Sequence, residues 1–203
     1  MSSVQTIPAA SVRTMPPSKR AFDIAFCVFL IVLFSPLLVA VALAVKVTSR
    51  GSILHWSDRV GQNNRIFRMP KFRSMRMDTP QVATHLLSDP SRYLTPIGAF
   101  LRKTSLDELP QLFSVLAGDL SLVGPRPALF NQKDLVELRT QCGVDALVPG
   151  ITGWAQVNGR DELPIAVKVG FDGEYLRQQS FTFDLKILVM TAMKVALREG
   201  VSH

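Results

Sequence analysis

Two adjacent carboxylates, Asp107 and Glu108, stand between Arg102 and Arg126. The stretch runs Arg-Lys-Thr-Ser-Leu-Asp-Glu-Leu-Pro-Gln from Arg102, then an apolar segment, then Gly-Asp-Leu-Ser-Leu-Val-Gly-Pro-Arg-Pro ending at Pro127. These residue types can handle phosphate. A carboxylate can attack phosphorus or ligate magnesium, and arginine grips phosphate oxygens through a planar fork. The competing reading is local: Ser105 with Glu108 fits the S-x-x-E capping box, and acids in a first turn suit the helix dipole. Pro110 narrows the geometry, because proline is accepted only in a first helical turn. If Asp107 caps the helix, Pro110 falls in that turn and Leu112, Phe113, Val115 and Leu116 form its apolar face. Asp107 would then stand where free N–H groups favour a phosphate or an anion developing during transfer.

The elements that must position these groups begin with a hydrophobic segment. The first eighteen residues, rich in Ser, Thr and Pro, read as a flexible lead-in. From Ile24 to Val45 there are 22 residues without a charge, enough to cross a bilayer at about 1.5 Å per residue. No small-residue cleavage site follows before Lys46, which argues against a secretory signal. Ser35-Pro36 interrupts the run, and proline there deletes a helical hydrogen bond that a serine or a neighbouring helix can replace. Arg13, Lys19 and Arg20 precede the run, and Lys46 and Arg50 follow it. A straight span would place one basic cluster outside, against the positive-inside rule. A re-entrant helix over residues 19–48, kinked at Ser35 and Pro36, keeps both flanks on one face; a straight span is the alternative.

The chain of 203 residues carries a net charge of +7, and its basic excess is all N-terminal: residues 1–76 hold 11 Lys/Arg against 2 acids. Such a layout suits an anionic surface, whether acidic lipid, phosphorylated substrate or nucleic acid. Gly51 to Gly61 and Arg65 to Arg76 read as two extended segments joined by Gly-Gln-Asn-Asn. Arg65, Arg68, Lys71 and Arg73 alternate with Phe67 and Phe72. A nucleic-acid reader could look like this, but a lipid-facing basic edge fits better beside the hydrophobic segment. Residues 77–96 read as a loop with a short helix, and Pro96 to Arg102 has helical spacing. Cys27 and Cys142 lack metal-ligand spacing, so neither zinc nor a disulfide framework is indicated. Further on, Pro149 to Arg160 is a Gly- and Asn-punctuated loop suited to a polar ligand through Gln156, Asn158 and Arg160, with a hairpin loop as the simpler alternative. Asp184 to Arg198 reads as a helix with core or interfacial packing.

Five motifs in one order resemble the bacterial sugar transferase family, the monotopic phosphoglycosyl transferases. They are Lys19-Arg20-x-Phe22-Asp23 before the Ser35-Pro36 run, Lys71-Phe72-Arg73-Ser74-Met75, Ser105 to Leu112, Asp119 to Pro127, and Pro149 to Arg160. The match runs from about Lys19 to Ser202, and the short N-terminus looks like the minimal members. The resemblance implies an α+β, mainly helical fold: a re-entrant membrane helix, a small cytoplasmic catalytic domain over residues 49–203, and interfacial amphipathic helices. It implies transfer of a sugar 1-phosphate from a UDP-sugar to undecaprenyl phosphate, with UMP released, at the cytoplasmic face of the bacterial inner membrane. The short form leans towards an N-acetylated or diamino sugar.

The resemblance further implies Mg2+ and places the catalytic pair on Asp107 and Glu108, with Asp107 also a metal ligand. Arg102 and Arg126 are the expected phosphate clamps. Lys71, Arg73, Gln156, Asn158 and Arg160 are the expected nucleotide or sugar contacts. Membrane lipid and downstream glycosyltransferases are the expected partners, and nucleic acid is not among them. Two other classes, a non-catalytic membrane anchor and a membrane-tethered nucleic-acid binder, need no paired acids beside Gly-Pro-Arg-Pro; UMP release from UDP-sugars separates them from an enzyme.

Overall fold

The computed structural model describes residues 15–79, 89–159 and 163–197. Its first element, helix α1, spans Pro17–Thr48. Pro17 starts it without cost because a first-turn N–H has no intrahelical partner. One stripe of α1 is buried, through Lys19, Asp23, Cys27, Val41 and Val45. The opposite side leaves Val28, Val32, Leu33, Val39, Leu43 and Val47 exposed. A soluble surface helix would be polar there. Among the described residues α1 is the one helix long and apolar enough to cross a membrane. Pro36 lies inside it and cannot donate to the Val32 carbonyl; Ser35 Oγ donates to that carbonyl instead, at 2.8 Å.

The two extended segments form a hairpin. Strand β1 (Leu54–Val60) pairs antiparallel with β2 (Ile66–Phe72), His55 opposite Lys71 and Trp56 opposite Pro70. Asn63 and Asn64 at its turn adopt φ of 52° and 58°, a left-handed conformation that asparagine tolerates. Proline is acceptable in β2 because a two-stranded sheet has free edges.

A 3-10 turn at Pro90–Tyr93 lies in the expected loop, whose residues 80–88 fall outside the described residues. Helix α2 (Gly98–Lys103), a 3-10 turn at Leu106–Glu108 and helix α3 (Gln111–Ala117) follow. Gly118, at φ 96°, ends α3. Then come β3 (Ser121–Val123), α4 (Lys133–Gln141), β4 (Gly150–Thr152), α5 (Trp154–Asn158), α6 (Ile165–Gln178) and α7 (Phe181–Leu197). Strands β3 and β4 run parallel, Ser121 opposite Gly150. The fold is mainly helical with two small sheets. The expected loop from Pro149 is instead β4 and α5. Its glycines serve close approach: a Cβ on Gly150 would lie 2.1 Å from the Gly124 nitrogen.

Cys27 of α1 joins Val115, Leu120, Val123, Tyr175 and Ile187 in the main core. Val41 and Val45 form a second cluster with Phe72 and Leu101. Both halves of α1 therefore rest on the same body of the protein. Polar groups fasten its first turns: Lys19 Nζ pairs with Asp184 at 2.6 Å, and Ser121 Oγ donates to Asp23 at 2.7 Å. Tyr175 Oη donates to Asp184 at 2.7 Å, tying α6 to α7. Breaking one partner of such a buried pair leaves a charge that nothing solvates.

Candidate active site

Ser105 turns the chain between α2 and α3 at φ 56° and makes no side-chain cap bond. Asp107 and Glu108 sit in the 3-10 turn that follows, while Pro110 immediately precedes α3. The expected cap is thus corrected. Asp107 stands ahead of the helix, because Pro110 begins the α-helical register after it, and Glu108 turns to cations rather than back to the Ser105 nitrogen.

Glu108 Oε1 accepts from Lys71 Nζ at 2.6 Å and from Arg126 Nη2 at 3.2 Å. Burial opposes its charge, but Lys71 and Arg126 outweigh it and hold the carboxyl well below the usual range. Asp107, 7% exposed, behaves in the opposite way. Burial pushes its carboxyl up to about 6, the Glu108 charge adds to this, and Lys71 and Arg102 pull against it. Neighbouring acids with pKa values driven apart are a recurrent feature of catalytic pairs.

The arginine of Gly-Pro-Arg-Pro is fixed by more than its prolines. Gly124 N donates to Thr152 O and Gly150 N donates to Pro125 O, extending the β3–β4 ladder into the loop. The Arg126 carbonyl accepts from Arg139 Nη1 at 2.8 Å, and Arg139 is held by Asp172 through bonds of 2.9 and 2.7 Å. On the other side Arg59 Nη1 donates to Pro127 O at 3.2 Å. Asp172 is 1% exposed; burial raises its carboxyl and Arg139 opposes the rise. Arg139 carries no signal in the sequence, and neither the basic cluster containing Arg59 nor the Asp172 to Tyr175 stretch discloses a role at Arg126, since Arg59 and Arg139 act on the backbone there from distant segments and Asp172 holds Arg139.

Arg102 projects from α2, its Nη1 3.4 Å from Met75 Sδ, close enough to Asp107 to stabilise its charge. Lys71, Arg102, Asp107, Glu108 and Arg126 therefore form one group. Arg73 does not join it: its guanidinium donates to Arg50 O, Ser49 O and Ser49 Oγ at the end of α1. Asn158 Nδ2 donates to Trp154 O within α5, and Gln156 Nε2 donates to Ile151 O at 3.3 Å. Gln156 Oε1 is buried without a hydrogen-bond partner and lies beside Gly153, which packs on the Gly124 carbonyl. Arg160 lies outside the described residues.

Among the described residues no three His, Cys, Asp or Glu side chains cluster as a protein-only metal cage. Magnesium does not need one. It is held by one or two carboxylates together with substrate phosphates, and Asp107 fits that donor set as one such carboxylate. Paired acids and three cations, beside an apolar helix long enough to cross a membrane, form a group suited to phosphate chemistry.

The chain belongs to the bacterial sugar transferase family, whose model matches residues 14–198. It is 43% identical over 184 residues to the undecaprenyl-phosphate glucose phosphotransferase of Komagataeibacter xylinus, covering 85% of this chain and 35% of the relative. It is 41% identical over 184 residues to the UDP-glucose:undecaprenyl-phosphate glucose-1-phosphate transferase of Escherichia coli (strain K12), covering 87% of this chain and 39% of the relative. The chain thus spans little more than a third of the length of these two relatives. The uncharacterized sugar transferase EpsL of Bacillus subtilis (strain 168) is 40% identical over 185 residues, covering 91% of this chain and 90% of the relative.

Proposed function

We propose that this chain transfers a sugar 1-phosphate from a UDP-sugar to undecaprenyl phosphate and releases UMP, an initiating step in bacterial polysaccharide or other glycoconjugate synthesis. The observation that carries the reading is the adjacent pair Asp107 and Glu108 grouped with Lys71, Arg102 and Arg126, two of these cations bonded to Glu108. Relatives named for undecaprenyl-phosphate sugar transfer support the substrate classes.

Asp107, largely ionised above pH 6, attacks the phosphorus that bears the sugar. An acyl–phosphate bond forms, the diphosphate P–O bond breaks, and UMP leaves with that electron pair. An oxygen of undecaprenyl phosphate then attacks the same phosphorus and restores the Asp107 carboxylate. Arg126 and Arg102 hold the phosphate oxygens, and Lys71 neutralises charge beside them. Glu108, kept ionised by Lys71 and Arg126, is a poor base; it positions these two cations. Magnesium, held by Asp107 and the substrate phosphates, supplies charge neutralisation when bound. Gln156, which lies beside Gly153 at the Gly124 loop, is assigned to the nucleotide or sugar together with Asn158 and Arg160.

The acceptor's phosphate lies at headgroup depth, so the site belongs at the cytoplasmic surface of the inner membrane. A re-entrant α1 satisfies this. A straight helix of 32 residues measures about 48 Å, and a span would carry one end across the bilayer. The packing of Lys19 and Asp23 at one end, and of Val41, Val45 and Ser49 at the other, against one body supports a same-face arrangement.

Purified protein should release UMP from a UDP-sugar when magnesium and undecaprenyl phosphate are both supplied. A donor series covering glucose, galactose and N-acetylated sugars identifies the substrate. No release from any of these donors would reject the assignment.

A further inference from the structure

At the end of α1 a cleft of about 580 Å3 is lined by Arg50, Arg73 and Arg76 together with the apolar Met77, Leu94 and Pro96. Lys71, Arg102, Asp107, Glu108 and Arg126 do not line it, so it is separate from the catalytic group. Its charge is unbalanced. Three guanidiniums meet one lining carboxylate, Asp78, which pairs with Arg76 at 2.9 Å. Arg50 is exposed and has no ion-pair partner among the described residues.

Arg73 is 3% exposed, and its Nε–H has no hydrogen-bond acceptor. An unsatisfied buried donor is costly, more so on a charged group. Gly51 makes room for this guanidinium: at φ 116° it has no side chain, and a Cβ there would lie 2.1 Å from Arg73 Nη1. The cleft also has apolar lining, and Met77 in it is 70% exposed.

We infer that this cleft binds the phosphate headgroup of an anionic membrane phospholipid and clamps the end of α1 at the membrane surface. A free phosphate would use only the arginines. A lipid uses the apolar lining as well, its phosphate on the exposed Arg50 and Arg76 and its glycerol and first methylenes on Met77, Leu94 and Pro96. Position agrees with the charge, because Ser49 and Arg50 directly follow the apolar α1, the depth at which headgroups lie if α1 enters the membrane. The inference rests on that membrane reading of α1 and not on the sugar-transfer chemistry.

The test uses the full chain in neutral detergent, titrated with phosphatidylglycerol, phosphatidylcholine, undecaprenyl phosphate and inorganic phosphate, with bound lipid counted by native mass spectrometry. The variant carries Arg50→Gln and Arg76→Gln, both at exposed positions outside the catalytic group; Arg73 is left intact because it holds α1. Wild type should retain phosphatidylglycerol in preference to phosphatidylcholine. The double variant should bind it about tenfold more weakly, corresponding to loss of a charge-assisted contact, with UMP release in neutral vesicles unchanged. Equal retention by both proteins would overturn the proposal. So would displacement of the lipid by inorganic phosphate, which identifies a free-anion site, or by undecaprenyl phosphate at equal concentration, which makes the cleft part of the acceptor site. Flotation with neutral vesicles tests the membrane reading separately, so the two can fail independently.

Discussion

Lys71 Nζ meets Glu108 Oε1 at 2.6 Å across 37 residues of sequence, joining strand β2 to the turn that carries Asp107 and Glu108. The same oxygen receives Arg126. Glu108 therefore fixes two cations beside Asp107 and, through its own charge, helps to raise the Asp107 carboxyl.

Replacing Glu108 with Gln removes that charge and loosens both cations. The Asp107 carboxyl, pushed up to about 6 in the wild type, should titrate lower. In the pH profile of kcat/KM, wild-type activity should rise through about pH 6 on the acid side. The residual activity of Glu108→Gln should have its acid limb displaced to lower pH. An unmoved limb would separate Glu108 from the titration of Asp107.

Asp107 should carry a stability cost. Its native carboxyl is raised from 3.8 to about 6, so the native state binds the proton more tightly than the unfolded chain, and stability falls as pH rises from about 4 to 6. Asp107→Asn removes this titration and should stabilise the protein above pH 6 by up to about 3 kcal/mol. The advantage should vanish below the unfolded pKa. Denaturation curves at pH 3.5 and 7.5 check the sign.

Arg126 and Arg139 should separate by readout. Arg126→Lys keeps the charge but loses the fork, and activity should fall about 10- to 100-fold with little change in stability. Arg139→Met leaves Asp172 buried without its partner and should cost about 3–5 kcal/mol. Denaturant titration beside steady-state kinetics distinguishes them. Equal stability loss in both variants would make Arg126 a structural residue.

The topology of α1 can be read by thiol labelling. Cysteines introduced at Ser18 and Thr48, both exposed, in a background with Cys27→Ser and Cys142→Ser, should resist an impermeant reagent added outside intact spheroplasts. Reaction at position 18 alone would reveal a full span. Pro36→Ala restores the N–H that could bond Val32 O directly, competing with Ser35 Oγ. If this lets α1 straighten, position 18 should become reactive.

Much of this charged group was legible because its members are close in sequence. Asp107 and Glu108 are adjacent, Arg102 and Arg126 flank them, and the hairpin containing Lys71 was marked by its alternating basic and apolar residues. What the sequence concealed was the use of distant backbone. Arg139 and Asp172 are ordinary helical charges until folding brings one onto the Arg126 carbonyl and the other behind it. Arg73 misled for the complementary reason: two residues from Lys71, it follows the strand into the end of α1. Gly150 and Gly153 suggested a loop, whereas they allow β4 and α5 to approach Gly124 more closely than any side chain would permit. The Ser105–Glu108 capping pattern is present in sequence, but two cations compete successfully for Glu108.

As the proposed nucleophile, Asp107 should become covalently attached to the sugar phosphate. Wild type and Asp107→Asn, incubated with magnesium and an accepted UDP-sugar labelled in the β-phosphate but without undecaprenyl phosphate, should be digested rapidly and their peptides analysed by mass spectrometry. A phosphosugar adduct should appear at Asp107 in the wild type, disappear when undecaprenyl phosphate is added, and be absent from the variant. Turnover by the wild type with no adduct at Asp107, or an undiminished adduct on Asp107→Asn, would contradict the account.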